Sequence, residues 1–371
     1  MSNRDDAARA LDFVVERENL RRCKFLSSDA PTAADLAAER ALLKVDAFAF
    51  TANNVTYAVA GDMMSYWSFF PAATGWGRVP VWGFGEVLAS RHASLREGER
   101  VFGYFPMSTH LVVQAGHVGP TGFVDASPHR QSLPPVYNRY TLASGDPGYA
   151  AEHEDQQMLF WPLFMTSFVL DDFLADNDFF GARAIVLSSA SSKTAFGLAY
   201  LLHRSRRAAY EVIGLTSPRN AGFCESLGCY DRVVTYDRIA EIASDAPAVF
   251  VDMAGDGEVL RTVHHHFRDR LRHSCIVGLT HWEKRAPASE LPGAPPTFFF
   301  APTQIQKRNA DWGPQELQRR FADAWRAFLA SAARSVRVVH GRGEAAVERV
   351  YLETLDGRAR PDEGHVLSLW A

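Results

Sequence analysis

The sequence predicts an α/β protein of two domains: a doubly wound parallel sheet in the second half and a β-rich, barrel-like domain built mainly from the first. Three observations predict it. Between residues 184 and 278, short apolar runs alternate with helical stretches, the pattern of parallel strands covered on both faces by helices. Before Leu111 the chain reads instead as a series of short strands broken by glycine, proline and polar turns. With 371 residues, of which 47% are hydrophobic and 22% charged, the chain can bury more than one core.

Residues 43–50 alternate apolar and polar with period two, as in a strand with one wet face. Residues 80–88 and 100–105 are further strands, and 95–99 form a turn into the latter. From Pro120 to Gln157 no period is visible, and Pro128, Pro134, Pro135 and Pro147 lie among His, Asn, Tyr and Gly. A stretch of this length is usually functional or mobile. Residues 158–180 predict a helix, with Leu159, Leu163, Phe164, Val169 and Phe173 partly at helical spacing. Strands follow at 184–187, 210–215, 232–235, 248–251 and 274–278, with helices at 195–204 and 219–227. Residues 315–329 form an amphipathic helix, and 336–369 return to strand texture.

A formal net charge of −4 argues against a nucleic-acid partner, which needs a basic face. The start, residues 1–6, is polar and acidic, unlike a signal peptide. No uninterrupted apolar run approaches the ~20 residues of a membrane span, so no membrane partner is expected. Four scattered cysteines do not form a disulfide framework. A cytoplasmic protein with reduced thiols is expected.

The first strand-to-helix crossing of the parallel sheet carries the chemistry. Ligands bind beyond the C-terminal strand ends, where helix N-termini offer N–H groups to anions. Here the crossing is Ser188-Ser-Ala-Ser-Ser-Lys-Thr194. Serine and alanine occupy the places of the usual turn glycines, and Gly197 inside the helix remains as a close-packing glycine. Ser189, Ser191, Ser192, Lys193 and Thr194 offer hydroxyls and a positive charge to phosphates. A polar turn that merely caps the helix is the plain alternative. A triphosphatase loop is rejected, because Leu187 and Ser192 stand where its glycines are required. At the second crossing, Thr216, Ser217 and Arg219 replace the acidic residue of NAD-selective sites and suit a 2′-phosphate. A solvated turn with an N-cap serine is the alternative there.

Taken in order, these motifs resemble the medium-chain dehydrogenase/reductase superfamily, in its zinc-free, quinone-reductase-like branch. The stretch from Ile185 to Ala199 looks like that family's glycine-rich strand–turn–helix, and Val212 to Gly228 resembles its second unit. Residues 232–236 and 249–255 are similar to the following strands, the latter ending in Asp and Gly. Ala52-Asn-Asn-Val-Thr-Tyr57 looks like the family's cleft-lining Asn-Pro-x-Asp segment, and Gly98-Glu-Arg-Val-Phe-Gly103 resembles Gly-Asp-Arg-Val. The resemblance runs from about Ala41 to Thr280, and the texture also resembles an uncharacterised family known only as a domain of unknown function.

The resemblance implies a Rossmann-type doubly wound sheet over 156–310 and a GroES-like β-barrel catalytic domain over 1–155, completed by 311–371. It implies NADP(H) as cofactor and adds Tyr236 and Asp252 to the cofactor-binding set. Zinc is not expected, since the cysteines lack the family's spacing and Phe84 stands where a ligating histidine would precede Gly-Glu. His264-His-His266 point in different directions and read as a solvated helix face. Without zinc, Tyr57 is the candidate proton donor, Asn53 and Asn54 would orient a carbonyl, and Thr166 would lie near the nicotinamide. A packing role for Tyr57 is the alternative. Tyr137, Arg139 and Tyr140 are further candidate substrate contacts. The aromatic zone of Tyr66 to Phe70, Trp76 and Trp82 suits a small apolar or conjugated carbonyl substrate if it lines the cleft. No long basic patch for coenzyme A stands out, and Lys307-Arg308 is a short candidate. Phe298-Phe-Phe300 could be an edge strand joining two subunits into a homodimer. The implied activity is NADPH-dependent reduction of an activated C=C or C=O. The rivals are a catalytically inactive nucleotide-binding sensor and a lyase or hydrolase that works without nucleotide. The second lacks a Gly-x-Ser-x-Gly elbow.

Overall fold

A computed structural model describes residues 9–205, 210–278 and 291–371; the polar start and Thr280 lie outside them. In chain order the elements are β1 (Arg9–Glu16), β2 (Cys23–Asp29), β3 (Arg40–Phe50), α1 (Ala52–Val59), β4 (Trp76–Gly77), β5 (Pro80–Ser90), β6 (Arg100–Pro106), β7 (His110–Gly119), β8 (Gly122–Asp125) and β9 (Arg139–Leu142). The long helix α2 (Glu154–Asp176) follows. Then come β10 (Ala184–Leu187), α3 (Lys193–Ser205), β11 (Glu211–Thr216), α4 (Ala221–Ser226), β12 (Arg232–Thr235), β13 (Ala248–Asp252), α5 (Gly257–Phe267), β14 (Leu271–Ile276) and β15 (Pro296–Phe298). Helices α6 (Ala301–Trp312) and α7 (Pro314–Ser335) lead to β16 (Arg337–Arg342), α8 (Gly343–Leu355) and β17 (Glu363–Ser368). The chain divides into two units, Met1–Leu159 with Val338–Ala371, and Phe160–Arg337.

The first unit is a GroES-like barrel. Its strands run β3-β5-β6-β9-β8-β7, and β7 pairs back with β3 to close the ring, leaving β17 and β16 outside on β3. Closure removes unpaired edges. The core gathers Phe13, Phe48, Phe50, Phe105 and Tyr140 from the strands with Val347, Val350 and Tyr351 from α8. Tyr351 meets Phe13 and Phe50 edge-on at 5.1 and 5.6 Å. Gly103 is required by packing, because a Cβ there would lie 2.4 Å from the Tyr140 ring. Residues 52–57, read as a cleft-lining segment, form α1. Thr51 and Asn54 make the capping box that starts it. The strand texture of 336–369 likewise hides α8, whose buried Val347, Val350, Tyr351 and Thr354 fall at helical spacing.

The second unit is a six-stranded parallel sheet in the order β12-β11-β10-β13-β14-β15. The strands begin and end close to where the alternating apolar runs place them. Gly197 packs α3 against α2, since a Cβ there would lie 2.7 Å from Ser167 Oγ. The C-terminal segment that completes the barrel unit begins at Val338, not at residue 311. The reason is that α7 buries Leu317, Phe321, Trp325 and Phe328, and Phe328 stacks on Phe164 of α2 at 4.4 Å. That packing also bears on α2. The helical stretch Ala151–Asp176 meets the length and hydropathy of a membrane span, with 56% of its apolar window buried in the fold. After α2, Asp178, Phe179, Phe180 and Gly181 all have φ between +48° and +66°, a short left-handed turn. Phe180 stacks on His273 at 4.1 Å there.

Candidate functional site

The parallel sheet reverses its strand order between β10 and β13, and the C-terminal ends of these two strands carry a connected polar network. Ser188, fully buried after β10, donates its hydroxyl to Asp252 Oδ1 at 2.6 Å. The Ser188 oxygen accepts from the Met253 and Ala254 amides. Asp252 Oδ1 also accepts from the Ala254 and Gly255 amides at 3.0 and 3.1 Å, while Oδ2 has no hydrogen-bond partner among the described residues. Burial outweighs these bonds and pushes the carboxyl up to about 6. Ser188 is thereby a structural clasp, with no accessible hydroxyl for nucleophilic chemistry.

The rest of the turn is tied to its surroundings as well. Ser189 sits at φ +48°, and its amide donates to the Tyr236 hydroxyl at 2.9 Å. Ser191 Oγ accepts from Asn220 Nδ2 at 3.1 Å, which joins the first crossing to the second. Ser192 Oγ accepts from the Ala195 amide at 3.2 Å and caps α3. Tyr230 donates to the Ala190 carbonyl at 2.8 Å. Lys193 opens α3, with its ammonium 6.0 Å from the Phe160 ring. The Thr194 carbonyl accepts from Ser167, which anchors the first turn of α3. Ser189, Ser191, Ser192, Lys193 and Thr194 are all half-buried.

At the second crossing, Thr216 is 1% exposed, so its side chain is turned into the fold. Ser217 precedes the turn Pro218–Asn220, on which Arg219 is exposed. Burial pushes the Tyr236 phenol up to about 12. Sequence reasoning named Asp252 and Tyr236 but not Asn220 or Tyr230. Nothing local marks those two, because their partners lie 29 and 40 residues away.

The barrel unit holds Tyr57 and Asn54 on α1. Asn54 is 3% exposed; its oxygen accepts from the Thr51 amide at 2.8 Å and its nitrogen donates to the Pro80 carbonyl at 2.9 Å. Its side chain therefore builds the helix start. Tyr57 is 6% exposed and accepts from Trp82 Nε1 at 3.4 Å. Rings of Tyr66, Tyr104 and Tyr137 surround it at 4.6–6.2 Å. Burial raises all four phenols, Tyr104 and Tyr137 most strongly. The fully buried Tyr104 hydroxyl has no hydrogen-bond partner among the described residues.

Several candidates are placed elsewhere. Tyr140 is fully buried in the barrel core with its hydroxyl on the Tyr104 carbonyl, so it is no substrate contact. Arg139 is exposed and bonds Thr121 Oγ1 at 2.9 Å. On α2, Thr166 returns its hydroxyl to the Pro162 carbonyl one turn back. Lys307 pairs with Asp176, and Arg308 with Asp172, Asp176 and Asp311, so the coenzyme A candidate is matched by carboxylates. His264 is not on a solvated face. It is fully buried, with Nδ1 on the Pro292 carbonyl and Nε2 on Ser274 Oγ, both at 2.9 Å, because α5 packs this side onto β14. Phe84 is buried against Phe102. Among the described residues no group of three or more His, Cys, Asp or Glu could hold a metal ion.

Solved structures share this fold across nearly the whole chain. CurA from Vibrio vulnificus, crystallised with NADPH, has a TM-score of 0.62 at 12% identity, covering 96% of this chain and 98% of that one. An enoyl thioester reductase from Candida tropicalis, in a mutant form, has a TM-score of 0.56 at 10% identity, covering 97% and 99%. The quinone oxidoreductase from Coxiella burnetii has a TM-score of 0.53 at 11% identity, again covering 97% and 99%. The fold is thus that of the medium-chain dehydrogenase/reductases, as the order of motifs implies. No curated protein sequence matches the chain. Residues 48–360 match the family described as "Protein of unknown function (DUF2855)", and the chain belongs to that family.

Proposed function

We propose that the chain is a zinc-independent, NADP(H)-dependent oxidoreductase that transfers a hydride to an activated C=C or C=O in an enone, quinone or enoyl thioester. The observation that carries this reading is the reversal of strand order between β10 and β13, flanked by the serine-rich turn and the start of α3. Doubly wound sheets take nucleotides at such a switch point. The donor set fits a dinucleotide. Hydroxyls of Ser191, Ser192 and Thr194, the Lys193 ammonium and the positive end of a 13-residue helix suit a pyrophosphate. Arg219, beside Ser217 on the exposed second turn, suits a 2′-phosphate. The neighbour crystallised with NADPH and those named for enoyl thioester and quinone reduction support the same reading.

NADPH would supply the hydride. The residues of the chain bind the nucleotide and hold a proton for the atom beside the hydride acceptor; Tyr57 is the proposed holder of that proton, with Asn53 orienting the phenol. Asn54 supports both by building α1. Thr166 would stand near the nicotinamide, and Tyr236 and Asp252 support the turn from behind. The partner is a small apolar or conjugated carbonyl compound. Two copies would pair through the edge strand β15. A cytoplasmic setting suits four unpaired cysteines.

Titrating the protein with NADPH and NADH, read by quenching of its eight tryptophans, tests the reading. NADPH is expected to bind tighter than NADH. K193A and R219A should each weaken NADPH binding by about 10- to 100-fold, the value of a charge-assisted bond. A folded protein that binds neither nucleotide would sink the proposal.

A further inference from the structure

From the bond that joins the two crossings we infer that Asn220 is a positioning residue for the nucleotide, acting on the pyrophosphate through Ser191. The inference rests on the reading of this sheet as an NADP(H) site.

A glycine-rich turn presents backbone amides to pyrophosphate. In this chain three of the turn's amides are already engaged. Those of Ser189, Ala190 and Ser192 donate to the Tyr236 hydroxyl, the Leu215 carbonyl and the Ser189 carbonyl at 2.9, 2.9 and 2.7 Å. The Ala190 carbonyl accepts from Tyr230, whose ring fills the space that Gly214 leaves on β11; a Cβ there would lie 2.9 Å from it. Side-chain hydroxyls must therefore supply donors that these amides do not. Ser188 is turned inward onto Asp252, which leaves Ser191 and Ser192 ahead of α3.

A hydroxyl has one proton and two acceptor sites, and what it accepts directs where its proton goes. Ser192 Oγ accepts from the Ala195 amide, a bond within the first turn of α3. Ser191 Oγ accepts instead from Asn220 Nδ2 at 3.1 Å, across 29 residues of sequence. A carboxamide nitrogen only donates, so this bond takes an acceptor site of Ser191 and leaves its proton for an anion. The backbone of Asn220 is fixed as well, its amide donating to the Ser217 carbonyl at 3.0 Å and closing the second turn. Ser191 and Asn220 are half-buried, whereas Arg219 is exposed. Adjacent residues of one turn thus serve different parts of the nucleotide. Arg219 meets the 2′-phosphate directly, and Asn220 reaches the pyrophosphate by way of Ser191.

The test measures binding of NADPH, NADH and 2′-AMP to the full chain by isothermal titration calorimetry. It compares wild type, N220A, S191A, R219A and the double variants N220A/S191A and N220A/R219A. N220A should weaken NADPH and NADH alike, by about 3- to 10-fold, the scale of one hydrogen bond. It should leave 2′-AMP, which carries no pyrophosphate, within about twofold of wild type. Adding N220A to S191A should change nothing further, because the bond is already gone, whereas the losses of N220A and R219A should multiply. NADPH affinity unchanged in N220A, or losses of N220A and S191A that multiply, would overturn the inference alone. So would an equal loss of 2′-AMP binding, which is what a collapsed second turn predicts. S191A removes the same bond from the first crossing, so if N220A fails to fold, S191A must weaken NADPH and spare 2′-AMP for the inference to stand. A folded wild type that binds neither NADPH nor NADH would instead sink the NADP(H) reading, and the role of Asn220 with it.

Discussion

Asp252 concentrates at one residue the conflict between burial and charge. Three donors converge on Oδ1, yet the carboxyl stands at about 6 because desolvation is the larger effect. The sign of the stability effect follows. The folded state binds this proton more tightly than the unfolded chain, so the contribution of Asp252 is full at low pH and is lost as pH rises through about 6. Ionisation at neutral pH then costs ~2–3 kcal/mol. Urea unfolding of wild type and D252N at about pH 5 and about pH 8 should show wild type losing stability relative to the variant at the higher pH. A difference between the two proteins that does not change with pH would reject this account. The place of Asp252 at a strand end was legible in the sequence. Its titration was not, since that depends on Ser188 and on amides brought in by the fold.

Among the elements, the parallel strands were the most legible. Ala184–Leu187 matches its apolar run because a strand buried on both faces announces itself through composition alone, and the partly exposed edge strand Arg232–Thr235 matches its run as well. Helix α1 was hidden because its eight residues include two asparagines, and its start depends on a Thr51–Asn54 box that reads locally as a loop. The irregular stretch after β8 was legible as irregular but not as ordered. What orders it is the ion pair of Arg130 with Asp125, both 1–2% exposed, and no local pattern reports such a pair. Strand β15 carries a prediction at this scale. It lies at the end of the sheet order, with Phe298 49% exposed and 6.4 Å from Phe300. Exposed apolar edges are templates for pairing. F298D should convert a dimer into a monomer in analytical ultracentrifugation, with the far-ultraviolet circular dichroism retained. A wild-type protein already monomeric at high concentration would remove the proposed dimer.

For the whole molecule, the two folds were legible because the strand–helix alternation and the β-rich texture occupy different parts of the chain. Where the chain returns to the barrel was not legible. Helix α7 is amphipathic, and amphipathicity says that a helix is covered without saying by what. That return has a consequence for how the molecule is made. The sheet unit is a continuous stretch, Phe160–Arg337, whereas the barrel unit is interrupted, and His365 pairs with Phe50. Domains fold as units while the ribosome delivers them. A nascent chain arrested before β16 can therefore finish the sheet, whereas the barrel has its ring of strands but its core still lacks Val347, Val350, Tyr351 and Leu367. Proteolysis of such arrested chains should cleave the first 159 residues while sparing the sheet; equal resistance of both would show that the barrel needs no late arrivals. The barrel's strands come early in this chain, and the side chains that fill its core from α8 and β17 come last.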